Sequence, residues 1–112
     1  EETIKLIKDN NITILNIAGN GIYTFNKYGI SQDRVNELVT NVIEHLINRG
    51  CKIKKIRSGA QTGADEAGLI AGNTFGLETV GFCPKGWRFR DINNNDISSK
   101  EEFFKRFNIL DV

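Results

Sequence analysis

The chain of 112 residues is 39% hydrophobic and 26% charged, proportions that suit one globular domain over residues 1–112 and leave no room for two independent cores. Fifteen Lys and Arg against fourteen Asp and Glu give a net charge of +1, far from the positive field that draws proteins to nucleic acid, so charge points to no nucleic-acid partner. No apolar run is long enough for a membrane span, the chain opens on Glu1 and Glu2 instead of a signal sequence, and Cys51 and Cys83 read as two reduced thiols; the expectation is a cytoplasmic protein with no membrane contact, metal or cofactor.

In chain order, residues 3–10 are apolar at Ile4, Leu6 and Ile7 and suit either a short helix or an edge strand. Residues 12–18 (ITILNIA) form a β-branched run cut off by Gly19-Asn20-Gly21, the profile of a strand buried on both faces. From Ser31 onward Val35, Leu38, Val39, Val42, Ile43, Leu46 and Ile47 recur at intervals of three and four, which predicts a helix with Ser31 as N-cap and Gly50 just past its end. Residues 51–57 (CKIKKIR) predict a second strand, with poor alternation. Residues 64–75 predict a helix whose Ala64, Ala67, Gly68, Ala71 and Phe75 side lies close against a sheet, with Gly76 as its stop. Residues 77–82 (LETVGF) predict a third strand, 91–100 are polar and Asn-rich, and 101–107 suit a closing amphipathic helix.

Strand, helix, strand, helix, strand with short joints predicts right-handed crossovers and a mostly parallel central sheet. The fold class expected is a small, three-layer, Rossmann-like α/β domain. Ligands of such sheets bind beyond the carboxyl ends of the strands, where three loops converge here.

Of these loops, 58–65 (SGAQTGAD) carries the most information: its glycines let backbone N–H groups approach an anion, Ser58 and Thr62 add hydroxyls, and the following helix turns its positive end toward the site. A tight strand-to-helix joint capped by Thr62 is the plain alternative. The sequence is not a Walker A loop, since no Lys-Ser or Lys-Thr follows. The loop 83–90 (CPKGWRFR) groups Lys85, Arg88 and Arg90 with Trp87 and Phe89, either to neutralise phosphate and stack a base or as a solvated basic loop with Trp87 as a core anchor. Tyr23, Phe25 and Tyr28 either wall a base pocket or cover the end of the sheet.

Residues 58–86, SGAQTGADEAGLIAGNTFGLETVGFCPKG, resemble the Gly-Gly-Gln-Thr-Gly-(Ala/Val)-Asp and Cys-Pro-Lys-Gly segment of molybdenum-cofactor carrier proteins, within the wider Rossmann-like SLOG superfamily of nucleotide-ligand proteins. The resemblance implies that Gly59, Gln61, Thr62, Gly63 and Asp65 form the ligand loop, with Pro84, Lys85 and Gly86 facing it. Glu66 departs from the basic residue that many carriers have there. Relatives in this superfamily sense ADP-ribose-like or cyclic nucleotide signals in bacterial antiviral systems.

From residues and resemblance together, the expected function is binding of a phosphate-containing, nucleotide-derived small molecule, as a sensor or a sequestering sponge in antiviral defence or phage counter-defence. The expected ligand-binding residues are Gly19, Asn20, Gly21, Ser58, Gly59, Ala60, Gln61, Thr62, Gly63, Asp65, Lys85, Gly86, Trp87 and Arg88. The alternatives are a nucleotide N-glycosidic-bond hydrolase using Asp65 or Glu66, and a molybdenum-cofactor carrier. Against catalysis, His45 falls outside the apolar stripe, so no Cys-His or Ser-His pair is proposed, and adjacent helical carboxylates point in different directions, so no catalytic residue is assigned. A homo-oligomer is expected, with Phe103, Phe104 and Phe107 as a candidate surface or as a seal on the monomer core.

Overall fold

The structure, a computed structural model, describes residues 2–82 and 84–107. Residues Glu2–Asp9 form a helix, α1, in which Ile4 and Ile7, three apart, are the buried pair while Leu6 is 59% exposed. Strand β1 (Ile14–Ile17) leads into a short helix α2 (Ile22–Lys27) and the long helix α3 (Gln32–Asn48). Strand β2 (Lys55–Gly59), helix α4 (Ala64–Thr74) and strand β3 (Glu78–Phe82) follow. After a 3-10 turn at Lys85–Trp87 come a small antiparallel hairpin, β4 (Arg88–Arg90) and β5 (Asp96–Ser98), and helix α5 (Lys100–Arg106).

The protein is therefore mixed α/β, with a three-stranded parallel sheet in the order β1-β2-β3 and Leu15, Ile56 and Thr79 in register across it. The signals read for α3 hold at both its ends, and the glycine stop read for α4 holds at its carboxyl end. Ser31 Oγ accepts the Arg34 N–H at 3.2 Å, and Gly50 and Gly76 follow their helices at positive φ. The expected close approach of α4 also holds: a methyl placed on Gly68 would stand 2.6 Å from Ile17, and one on Gly72 would stand 2.6 Å from Thr79. Only bare backbone lets the helix lie that near the sheet.

Four expectations need correction. The expected second layer of helices is not formed by the described residues. Both β-α-β connections step the same way across the sheet, and right-handed crossovers that step one way lay their helices on one face. Helices α3 and α4 pack side by side there, with Ile43, Leu46, Ile56 and Ala71 in one core. The opposite face carries exposed Ile14, Asn16, Arg57, Glu78 and Phe82, so β1 is not a strand buried on both faces. The second strand begins at Lys55, four residues later than read. Cys51 N–H donates to Leu46 O and Lys54 N–H to Thr13 O, which spends 51–54 on closing α3 and entering the sheet. In α3, Leu38 and Val42 are exposed; the buried line runs through Val35, Ile43 and Leu46.

Phe103 and Phe107 are fully buried, so these two rings seal the monomer core. With Phe89 and Ala60 they form a second, smaller core, against which Trp87 packs edge-on at 5.4 Å from the Phe103 ring. Cys51 is buried with a free thiol; Cys83 lies outside the described residues. No helix among the described residues is long and apolar enough to cross a membrane.

Candidate ligand-binding site

The loop between β2 and α4 takes its shape from a contact distant in sequence. Gln32, buried at the first position of α3, accepts the Gly63 N–H on Oε1 at 2.6 Å and donates from Nε2 to Gly63 O at 3.0 Å and to Asn36 Oδ1 at 2.8 Å. Gly63 itself sits at φ 98° and ψ −137°, a conformation closed to residues with a Cβ, and a Cβ there would stand 2.5 Å from Asn20 O. The next amide, Ala64 N–H, donates to Asn20 O at 3.0 Å. The first glycine turn and the second loop are thus bolted together at the carboxyl ends of β1 and β2.

The other wall of the site comes from the C-terminal hairpin. Gln61 Nε2 donates to Arg88 O at 2.8 Å, and the Thr62 hydroxyl donates to Arg90 O. Between these walls lies a cleft of about 380 Å³ lined by Gly19, Gly21, Gln61, Thr62, Asp65 and Arg88, together with Ile22, Tyr23, Phe89, Arg90 and Asp96. Asp65 accepts the Gly19 N–H, and burial pushes its carboxyl above the ordinary value, an effect the Gly19 hydrogen bond partly offsets. The Arg90 guanidinium is committed to Asp96 at 3.1 Å and lies over the Tyr23 ring at 5.3 Å. Among the described residues Arg88 is the cleft cation that makes no ion pair.

The expected site residues divide clearly. Gly19, Gly21, Gln61, Thr62, Asp65 and Arg88 line the cleft. Asn20, Gly59 and Gly63 are structural neighbours of it: Gly59 leaves room for the Asp65 carboxylate, whose Oδ2 would stand 2.6 Å from a Cβ there. Ser58 and Ala60 are fully buried, with the Ser58 hydroxyl within hydrogen-bond distance of Ile17 O (2.6 Å) and Asp65 O (3.1 Å), so neither faces the cleft. Lys85 and Gly86 are exposed away from the cleft, and Trp87 is a core anchor of the C-terminal unit. The reading of Thr62 as helix cap also fails, since Gly63 occupies the cap without a side-chain bond.

Gln32 and Asp96 went unread. Gln32 gives no local signal, because its partner is 31 residues away. Asp96 had one: Arg-Phe-Arg and Asp-Ile-Ser alternate around a polar turn, where Asp91 Oδ1 accepts the Asn93 and Asn95 amides, both at 2.9 Å.

A second cavity of about 470 Å³ lies behind the loop, between α2, α3 and α4. Its charged floor is the ion pair of Glu66, 4% exposed, with Arg106, whose Nε and Nη2 donate to the two carboxylate oxygens at 2.6 and 2.7 Å. Burial raises the Glu66 carboxyl above its ordinary value, Arg106 opposes the rise and Asp33 adds to it. Both oxygens of Glu66 are therefore spent on joining α5 to α4. Comparison of the chain with protein-family models, curated proteins and solved structures finds no match, so the resemblance of residues 58–86 rests on those residues alone.

Proposed function

We propose that the cleft at the carboxyl edge of the sheet binds a phosphate-bearing, nucleotide-derived small molecule, and that the chain is a Rossmann-like binding unit that senses or sequesters this ligand. The observation that carries the reading is the convergence of three unlike groups on one volume: the Tyr23 ring, the Asp65 carboxylate and the Arg88 guanidinium. An aromatic face suits a base, a carboxylate accepts sugar hydroxyls, and a guanidinium pairs with phosphate. Binding is favoured over hydrolysis because Asp65, with one oxygen engaged by Gly19, has no second carboxylate in the cleft other than Asp96, which is held by Arg90. The sensor or sponge role in antiviral conflict is carried by the resemblance of residues 58–86.

The test is to incubate the protein with nucleotides and ADP-ribose derivatives, remove the unbound fraction, denature, and identify what is released by mass spectrometry. One selected compound recovered intact is the expected result. Cleaved product would assign a hydrolase, and an empty protein would remove the small-molecule reading.

A further inference from the structure

A glycine loop that cradles an anion must keep its donors free, and here most of the glycine-rich turn's donors are taken. The Gly63 N–H is taken by Gln32, the Ala64 N–H by Asn20 O, the Ala60 N–H by Phe82 O, and the Gly19 N–H by Asp65. The Ser58 and Thr62 hydroxyls are spent on main-chain carbonyls. The amino end of α4, where a helix dipole would attract phosphate, already holds the Asp65 and Glu66 carboxylates in its first turn. Glu66 is paired with Arg106 in the other cavity, so an anion brought to the cleft side would meet the Asp65 carboxylate, with the Gly63 and Ala64 N–H groups taken and those of Gln61 and Thr62 left. Across the cleft the balance is reversed. Arg90 is neutralised by Asp96, but Arg88, on the exposed side of β4, presents a guanidinium with no ion-pair partner among the described residues. Its backbone is held by Gln61, so the side chain projects from a fixed point on the wall.

We infer that the ligand's anionic group is held by the Arg88 guanidinium on the hairpin wall, opposite Asp65, which receives hydroxyls, and that the Ser58–Gly63 loop shapes the cleft without binding the anion. The ligand class is a sugar phosphate or nucleotide that offers both an anion and free hydroxyls. The inference rests on the cleft reading above and reverses the polarity that the glycine loop suggests. A carboxylate with one N–H bound keeps lone pairs for hydroxyl donors, and a guanidinium offers two parallel N–H groups to phosphate oxygens.

The experiment follows the Arg Nε–H and backbone amide resonances of isotope-labelled protein during titration with inorganic pyrophosphate and, separately, with ADP-ribose. Saturable shifts of Arg88 Nε–H by both probes are expected, with the amides of residues 61–64 little moved. R88Q should weaken each probe by about 10- to 100-fold, the loss of one charge-assisted contact. Exposure of Arg88 makes R88Q compatible with folding, checked by an unchanged amide spectrum elsewhere. Shifts centred on amides 61–64 with affinity unchanged in R88Q would overturn the inference, as would no saturable response to pyrophosphate. Pyrophosphate seated at Arg88, with ADP-ribose and nucleotides binding no tighter than it, upholds the anion site and overturns the nucleotide reading instead.

Discussion

Gln32 and Gly63 are a lock and the residue it holds. The glutamine amide meets the glycine peptide edge-on, donor to acceptor and acceptor to donor, as a neighbouring strand would, and keeps a backbone angle that only glycine adopts. Gly63→Ala is expected to remove about 3 kcal/mol of stability, from backbone strain and the approach to Asn20 O. Gln32→Ala, which leaves the Gly63 N–H buried and unpaired while Gly63 O keeps the Ala67 N–H, should remove about 2 kcal/mol. Urea denaturation checks both; a loss under about 0.5 kcal/mol in either would mean the loop relaxes without that contact.

Among the elements, α5 is fastened from two sides. Phe103 and Phe107 press it onto the hairpin, and Arg106 reaches across to the buried carboxylate of Glu66 on α4. Arg106→Ala strands that carboxylate without a counter-charge and should cost about 3 kcal/mol, at the low end for a buried pair because the arginine side chain is 28% exposed. Hydrogen exchange locates the loss: amides of β4, β5 and α5 should exchange faster while those of β2 stay protected, and uniform acceleration would show that the two cores open together. Helices α3 and α4 were legible because each carries its signal locally, apolar or small-residue spacing ended by a glycine stop, with a capped start in α3. Helix α2 was not, since its six residues bury only Ile22 and leave no periodic trace. The hairpin hid its strands in three-residue pieces too short for alternation to stand out. The same contrast divides the site: Asp65 and Gly63 follow from the loop's composition, whereas the direction in which the loop's donors point depends on Gln32, Asn20 and Asp65 closing on them in space.

At the scale of the whole molecule, the described residues measure 41 × 33 × 19 Å, and the short dimension is that of a sheet with helices on one side. So thin a body brings α4 and its two first-turn carboxyls near both the cleft and the cavity behind it, and both titrate above their ordinary values of 3.8 and 4.5. The unfolded chain releases these protons first, so the folded state binds more protons in the window that opens at those values and extends above them. Stability contributed by the pair is greatest below that window and falls as pH rises through it. The wild type, measured by denaturation relative to the Asp65→Asn/Glu66→Gln double variant, should lose ground as pH rises above those ordinary values. A gain over that range would mean that Arg106 and Gly19 outweigh burial.

Trp87 is the sole tryptophan of the chain, and it sits between Phe103 and Phe104 with the Lys100 ammonium 5.4 Å from its ring. Its emission thus belongs entirely to the unit that supplies the Arg88 wall, yet the indole is not among the residues that line the cleft. The molecule carries a built-in optical gauge: the fluorescence of this one indole follows the packing of the C-terminal unit, without a label.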